Sequence, residues 1–151
     1  MLGKQHGLVT ILNTAPAIHL PSDVYQHVDV VCANETELET LSGRSVETVE
    51  DATLASRDLI GLGAHQVLVT LGSKGCLLVT SNNTVYKEAV PVKAIDTTGA
   101  GDCFLGAFAY YLASGSPVGV CMEKANAVAA YSVQREGTQT SFPTAADMDH
   151  H

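Results

Sequence analysis

The sequence predicts an α/β domain from its hydrophobic pattern, while its composition and charge limit the class of protein and of partner. Short apolar runs with the length of buried strands alternate with longer amphipathic runs of helical period along the 151 residues. Hydrophobic residues make up 46% of the chain and charged residues 16%, which is typical of a globular protein with one sizeable core and excludes a disordered one. The formal net charge of −8 disfavours nucleic acid as a partner.

The first part of the chain predicts two strands, each followed by polar residues. The run Gly7–Leu12 predicts a buried strand that ends at residues 13–17, where a proline disfavours further pairing. Residues 28–33 predict a second buried strand. Asn34 then fits the N-cap of a helix, and Glu37 lies three residues further on, in the position that completes a capping box.

The middle and last parts of the chain predict a helix, three strands and two more helices. Apolar residues at helical spacing indicate a helix over residues 48–62, which Gly63 ends. The strands are predicted at 67–71, 76–80 and 85–90, with a hairpin turn at Asn82-Asn83 before the last of them. The two helices are predicted to begin near Asp102 and to cover about Val118–Val133.

The predicted order of elements leaves the sheet incomplete at one side. The chain opens almost directly on a strand, so a sheet of about five strands would have an unprotected edge or face. We therefore interpret the chain as part of a larger fold.

The cysteines and the start of the chain indicate a cytoplasmic protein. The four cysteines lie far apart without a C-x-x-C pair, which argues against a zinc site or a redox motif and favours buried, reduced thiols. Residues 1–6 lack the apolar core of a signal peptide, and no apolar run approaches the ~20 residues of a membrane span.

Residues 96–107, D-T-T-G-A-G-D-C-F-L-G-A, form the most informative stretch. Its glycines let the backbone approach an anion closely, and the free N–H groups at the start of the following helix point to the same place. Asp102 lies in the first turn of that helix, where a carboxylate can accept a proton from an attacking hydroxyl. Taken alone, the pattern G-x-G-D favours a turn in which Asp102 only interacts with the helix dipole.

Two well-known phosphate-binding loops are excluded by residue type. A dinucleotide-binding fingerprint requires a third glycine where Phe104 stands. A Walker loop requires G-K-[ST] where this chain has Gly101-Asp102-Cys103.

The stretch resembles the C-terminal signature of the PfkB/ribokinase family of carbohydrate kinases, and other motifs of that family follow the same order along the chain. They are N-T-A-P-A at 13–17, with Thr14 in place of the usual proline, N-E-T-E at 34–37, T-L-G-S-K-G at 70–75 and R-E-G-T-Q-T-S at 135–141. The resemblance covers nearly the whole chain. It implies a single domain over residues 1–151 with a three-layer α/β/α, ribokinase-like (Rossmann-like) sheet that lacks the family's N-terminal strands and lid.

The resemblance also implies a catalytic centre. Asp102 would be the catalytic base, and Gly99, Ala100 and Gly101 would form the anion hole for a phosphoryl group in transfer. Asn34 and Glu37 would organise the phosphates and Mg²⁺, with Glu37 as the metal-binding carboxylate, a role compatible with the helix cap.

Further binding residues follow from the same resemblance. The nucleotide would contact Asn34, Thr70, Leu71, Gly72, Ser73, Lys74, Gly75, Gly101, Asp102 and Asn126, the last of them near the adenine. Most asparagines in helices are simply solvated, and solvation is the alternative for Asn126. A monovalent cation such as K⁺ would be held by Asp96, Thr98, Ser132, Arg135, Gly137 and Ser141. Several of these would act through backbone carbonyls. The alternative role for Asp96 is to cap a turn.

The implied activity is transfer of the γ-phosphoryl group of ATP to the terminal hydroxyl of D-ribose, with Mg²⁺ and K⁺ as cofactors. The family's sugar-binding residues have no counterpart in this chain, so we expect weak or absent ribose phosphorylation by it alone. A kinase of another sugar or of a nucleoside, and a non-catalytic nucleotide-binding fragment, remain alternatives. The implied partners are ribose and ATP. A homodimer is a candidate state of the full-length form. Neither nucleic acid nor a membrane is expected as a partner.

Overall fold

The computed structural model describes residues 2–148 and divides them into two compact units. The first unit comprises residues 2–72 and 76–86, and the second comprises residues 73–75 and 87–148. The strands are β1 Ile11–Asn13, β2 Val30–Asn34, β3 Gln66–Thr70, β4 Cys76–Thr80 and β5 Thr84–Lys87. The α-helices are α1 Leu2–Gln5, α2 Ser22–Tyr25, α3 Glu35–Ser42, α4 Val49–Gly61, α5 Ala100–Ala113, α6 Val118–Ser132 and α7 Ala145–Met148, and 3₁₀ turns cover Gly72–Lys74 and Gln139–Ser141.

The five strands form one mixed sheet in the order β1-β2-β3-β4-β5. β1 and β3 run parallel to β2, whereas β4 runs antiparallel to β3. The apolar runs in β2 and β3 are continuous rather than alternating, as expected of parallel strands covered on both faces. Because β1, β2 and β3 are parallel, their carboxyl ends lie at the same edge of the sheet.

α4 follows α3 in the connection between β2 and β3, and it has the helical pattern that the sequence predicts. Ala52, Ala55 and Leu59 are completely buried, at the spacing that places them on one face of a helix. Gly63, with a φ of +114°, follows the helix end. The apolar face of α4 packs into the main core of the first unit together with Leu38, Val31, Val67, Val69, Leu77 and Val79.

A capping box at the start of α4 makes the stability of the chain depend on pH. The Thr48 backbone N–H and side-chain hydroxyl donate to Asp51 Oδ2 at 2.9 and 2.8 Å. These bonds, first that of the Thr48 hydroxyl, hold the pKa of Asp51 below its ordinary value. A lowered pKa in the folded state stabilises the fold above the ordinary carboxyl pKa of about 4, and this stabilisation is lost as the pH falls through the lowered value.

We therefore expect Asp51→Asn to lower the free energy of unfolding at pH 7. The difference from the wild type should shrink as the pH falls from about 4 through the lowered pKa of Asp51. Urea unfolding at a series of pH values measures both quantities, and Glu50→Gln, an exposed first-turn neighbour, is the control. A difference that stays constant down to pH 2 would contradict the role given to Asp51.

The second unit is built on α5 and α6. The rings of Phe104 and Phe108 in α5 stack with centroids 6.4 Å apart, and both residues are buried. Met122 and Ala125 of α6 are completely buried as well. The long amphipathic runs that predict these two helices therefore supply the apolar side chains of this unit.

Two predicted strands differ from the observed ones. The first strand begins at Ile11 rather than Gly7, because residues 2–5 form α1 and the Thr10 N–H donates to the Asp29 carboxylate at 2.7 Å. The chain was expected to open almost directly on a strand, and a short helix precedes that strand instead. The last strand ends at Lys87 rather than Val90, and the carbonyls of residues 87 and 88 accept hydrogen bonds from the Asn126 side chain.

The cysteines follow the prediction. None of the four forms a disulfide bond, and each has at most 6% of its surface exposed. Burial, with smaller contributions from Glu37 and Cys76, raises the pKa of Cys32 to about 12, so its thiolate is not formed at neutral pH. Among residues 2–148, none of the helices combines the length and the apolar character needed to cross a membrane.

Candidate active site

The first unit brings two of the predicted nucleotide-binding residues side by side. Asn34 ends β2 and Thr70 ends β3, and the two are direct register partners in the parallel ladder. In open α/β sheets, ligands bind at the carboxyl ends of the strands. The Thr70–Gly72 part of the predicted nucleotide loop therefore begins beside Asn34, at an edge suited to binding.

Asn34 and Glu37 form the capping box that their spacing predicts. Asn34 Oδ1 accepts from the Glu37 N–H and Glu37 Oε2 accepts from the Asn34 N–H, both at 2.8 Å. Within the described residues, Asn34 Nδ2 and Glu37 Oε1 have no protein partner. The cap thus fixes both side chains and leaves one carboxylate oxygen for a hard cation such as Mg²⁺, which prefers one or two carboxylates together with phosphate oxygens.

The rest of the nucleotide loop depends on two glycines. Gly72, with a φ of +55°, begins the 3₁₀ turn, and Gly75, with a φ of +111°, follows it. A Cβ atom on Gly75 would overlap the Lys87 carbonyl oxygen and lie 2.7 Å from the Ala89 N atom. Gly75 therefore allows two stretches of backbone to touch, which only a residue without a side chain permits.

The glycine-rich turn before α5 has the geometry of an anion-binding helix start. Gly99 caps the helix with a φ of +78° and a ψ of 0°, the values of the third residue of a type II turn, and the Ala100 N–H closes that turn on the Thr97 carbonyl at 3.2 Å. The N–H groups of Gly99, Gly101 and Asp102 have no acceptor among residues 2–148. Free N–H groups at the start of a 14-residue helix attract anions.

Asp102 lies where this turn enters the helix. Its side chain is exposed, and its carboxylate has no hydrogen-bond or ion-pair partner within the described part of the chain. An unengaged carboxylate next to unengaged N–H groups can accept a proton while those groups stabilise negative charge.

The Asp96 carboxylate connects the same turn to the segment that follows α6. Asp96 Oδ1 accepts from the Thr98 N–H at 2.9 Å, and Oδ2 accepts from the Gly137 N–H at 3.0 Å. Hydrogen bonds from the Thr98 side chain and backbone, and then from Gly137, hold the pKa of Asp96 below its ordinary value. The carboxylate is therefore ionised at neutral pH and half-buried, as a ligand for a hard cation should be.

The other predicted cation ligands lie in the segment that Asp96 contacts. Ser132 and Ser141 are each 1% exposed, and their hydroxyl oxygens lie 2.9 Å apart. The Arg135 guanidinium instead lies over the Tyr131 ring, 3.5 Å from its centroid. A guanidinium has no acceptor atom, so Arg135 could serve a cation only through its backbone carbonyl. The atoms that the predicted site offers as ligands are all oxygen atoms, the ligand type that an alkali-metal cation such as K⁺ prefers.

Asn126 is a buried residue rather than a solvated one. It is 8% exposed, and its Nδ2 donates to the carbonyls of Lys87 at 3.3 Å and of Glu88 at 2.9 Å. The Lys87 ammonium also pairs with Glu123, one turn earlier in α6. The side chain of Asn126 therefore holds the segment after β5 against α6, and a contact with adenine would come in addition to this role.

A sequence profile of the pfkB family carbohydrate kinases matches residues 2–145. The chain belongs to this family. It is 42% identical to the deoxyribokinase of Salmonella typhi over 94% of its length and 38% identical to the ribokinase of Mus musculus over 97%. It covers 47% of each of these proteins, so the chain spans about half the length of the curated relatives it matches.

Solved structures of ribokinases have the same fold as this chain. The ribokinase of Thermotoga maritima is 36% identical, with a TM-score of 0.88 over 98% of this chain and 50% of that one. The ribokinase of Arabidopsis thaliana, solved with ribose and ATP, is 34% identical, with a TM-score of 0.92 over 97% of this chain and 48% of that one. The predicted ribokinase-like α/β fold is thereby confirmed for this pfkB-family chain.

Two contacts of the site carry no signal in the sequence. The Phe142 ring lies against Gly99, and the Asn126 side chain bonds to the carbonyls of Lys87 and Glu88. Each contact joins residues about forty positions apart, and neither pair forms a motif. The close approach at Gly75 has a partial signal, since a glycine that ends a T-L-G-S-K-G loop allows tight backbone contact.

Proposed function

We propose that this chain is the nucleotide-binding and catalytic part of a pentose kinase, the C-terminal part of a PfkB-type chain. In the complete enzyme, the γ-phosphoryl group of ATP passes to the terminal hydroxyl of D-ribose, giving ribose 5-phosphate and ADP. The observation that carries the proposal is the turn at Gly99, where the first turn of α5 holds both the free N–H groups of Gly101 and Asp102 and the exposed, unengaged Asp102 carboxylate.

The proposed reaction follows from these groups. The sugar hydroxyl oxygen forms a bond to the γ-phosphorus while its proton passes to the Asp102 carboxylate, and the bond from the γ-phosphorus to the bridging oxygen of ADP breaks. Charge on the three equatorial oxygens is stabilised by the N–H groups at the start of α5. Gly99 and Gly101 keep that surface free of side chains. The Ala100 N–H donates to the Thr97 carbonyl and so closes the turn. In the proposed anion hole it also donates to a phosphoryl oxygen, which is then its second acceptor.

The same proposal assigns the remaining residues. Thr70–Gly75 contacts the nucleotide, and Asn126 lies near the adenine. Asn34 and Glu37 orient the phosphates, and Glu37 holds Mg²⁺, which when bound would neutralise phosphate charge. Asp96, Thr98, Ser132, Gly137 and Ser141, with the Arg135 carbonyl, hold a monovalent cation that would fix the shape of the turn. A homodimer of the full-length form remains a prediction.

The sugar has two candidates. Several relatives are ribokinases, which favours D-ribose, whereas the 42% identity to a deoxyribokinase favours 2-deoxy-D-ribose. The two sugars differ by one hydroxyl, and a site built to hydrogen-bond a hydroxyl discriminates strongly against a substrate without it. A substrate panel therefore separates them.

Calorimetry with Mg·ATP, beside a coupled assay of ADP release, tests the proposal. We expect the chain to bind Mg·ATP, and a longer protein that includes it to release ADP only when D-ribose or 2-deoxy-D-ribose is present. Absence of Mg·ATP binding would contradict the proposal. Binding without sugar-dependent ADP release in any form would instead indicate a non-catalytic nucleotide-binding protein.

A further inference from the structure

The side of Gly99 that has no side chain faces an aromatic ring from the end of the chain. A Cβ atom on Gly99 would lie 3.2 Å from Phe142 Cε1, 3.3 Å from Phe142 Cζ and 3.5 Å from Thr138 Cβ. The ring therefore lies closely against Gly99, and a methyl group there would fit only if the Phe142 ring moved by a few tenths of an ångström. Gly99 is the residue whose left-handed conformation closes the turn onto Thr97 and starts α5.

Phe142 is itself held in place by a buried network of hydroxyls. Ser141 is 1% exposed, and its Oγ lies 2.9 Å from Ser132 Oγ and 2.6 Å from the Thr138 carbonyl oxygen. The Phe142 N–H donates to the Gln139 carbonyl at 3.3 Å. The 3₁₀ turn at Gln139–Ser141 thus fixes the backbone position of Phe142, whose half-buried ring contacts Gly99.

A glycine turn needs such support because glycine populates positive and negative φ almost equally. Rotation of the peptide between Thr98 and Gly99 would convert the turn to another type and redirect the Gly99 N–H. A departure of Gly99 from its left-handed conformation would also turn the Gly99 carbonyl, which accepts from the Cys103 N–H at 2.9 Å. A ring packed on the Cα of Gly99 disfavours such rearrangement because the moving backbone would collide with it.

We propose that Phe142, together with Thr138, is a positioning residue that keeps the Gly99 turn closed and so aims the free N–H groups of α5. Phe142 acts through Gly99 and not through the phosphoryl group. The catalytic consequence of this role rests on the proposed function, whereas the effect on the turn does not.

Amide hydrogen exchange in the free chain tests the effect on the turn. In Phe142→Ala, exchange at the Ala100 and Cys103 N–H groups should accelerate by about tenfold relative to exchange at Phe108, which reports on the helix as a whole. Tyr111→Ala is the matched control: it truncates another half-buried aromatic of the same unit, about 18 Å further along α5, and should leave that ratio unchanged. An unchanged ratio in a folded Phe142→Ala overturns the proposal. Phe142→Val is measured in parallel, and wild-type exchange in a folded Val variant overturns it too.

Mg·ATP calorimetry on the same variants separates this inference from the proposed function. Phe142→Ala should weaken Mg·ATP binding about fivefold, and Tyr111→Ala should leave it within twofold of the wild type. If the wild type binds Mg·ATP and Phe142→Ala binds it equally well with an unaltered exchange ratio, the inference fails and the function stands. If the exchange ratio changes as expected but the wild type binds no Mg·ATP, the positioning role stands and the proposed function fails.

Discussion

Asp102→Asn should reduce sugar-dependent ADP release by about 10²–10⁴-fold in an active form that contains residues 1–151, because a positioned general base contributes a factor of this size. The amide keeps the shape of the side chain and cannot accept the hydroxyl proton. Since the Asp102 carboxylate has no protein partner among the described residues, the free energy of unfolding should change only slightly. The affinity for Mg·ATP should remain close to that of the wild type.

The control for this substitution is Asp23→Asn. Asp23 is also an exposed carboxylate in the first turn of a helix, α2, so the chemical change is identical. We expect it to leave ADP release unchanged. Turnover within tenfold of the wild type in Asp102→Asn would remove Asp102 from the role of base.

Gly75→Ala should destabilise the chain by about 2–6 kcal/mol, the combined range for overpacking and for a strained left-handed backbone. The added methyl group would overlap the Lys87 carbonyl oxygen, and a φ of +111° disfavours any residue with a side chain. Both obstacles are backbone atoms or backbone conformations, which cannot be relieved by rotating a side chain. Urea unfolding of the chain measures the loss.

Gly72→Ala separates the two causes. Gly72 lies in the same loop and also has a positive φ, of +55°, but no atom lies within 4 Å of the position of its Cβ. Its substitution should therefore cost only the conformational term, about 1 kcal/mol. Equal losses in the two variants would contradict the close approach of Gly75 to residues 87–89.

Much of the local structure was predictable because it depends on neighbours in sequence. The capping box of Asn34 and Glu37, the buried face of α4 and the strand Cys76–Thr80 all follow from spacing and residue type over a few positions. The glycine turn that starts α5 at Gly99 was predictable for the same reason. In each case the interactions that decide the structure lie within about one turn of helix or one strand.

The remaining features depend on contacts across the chain, which periodicity does not show. β5 ends early at Lys87, and the carbonyls of Lys87 and Glu88 accept hydrogen bonds from Asn126, nearly forty residues away. The first strand begins late because residues 2–5 form α1 and Asp29 accepts hydrogen bonds from Thr10.

The central claim is that the turn at Gly99 and the first N–H groups of α5 receive the phosphate of a nucleotide. A titration of the isotopically labelled chain with Mg·ATP, followed through its backbone amide resonances, tests this most directly. We expect saturable shifts that are largest at Gly99, Gly101 and Asp102, with further shifts in Thr70–Gly75 and at Asn34. Saturation with Mg·ATP that leaves the Gly101 and Asp102 resonances in place would contradict the claim.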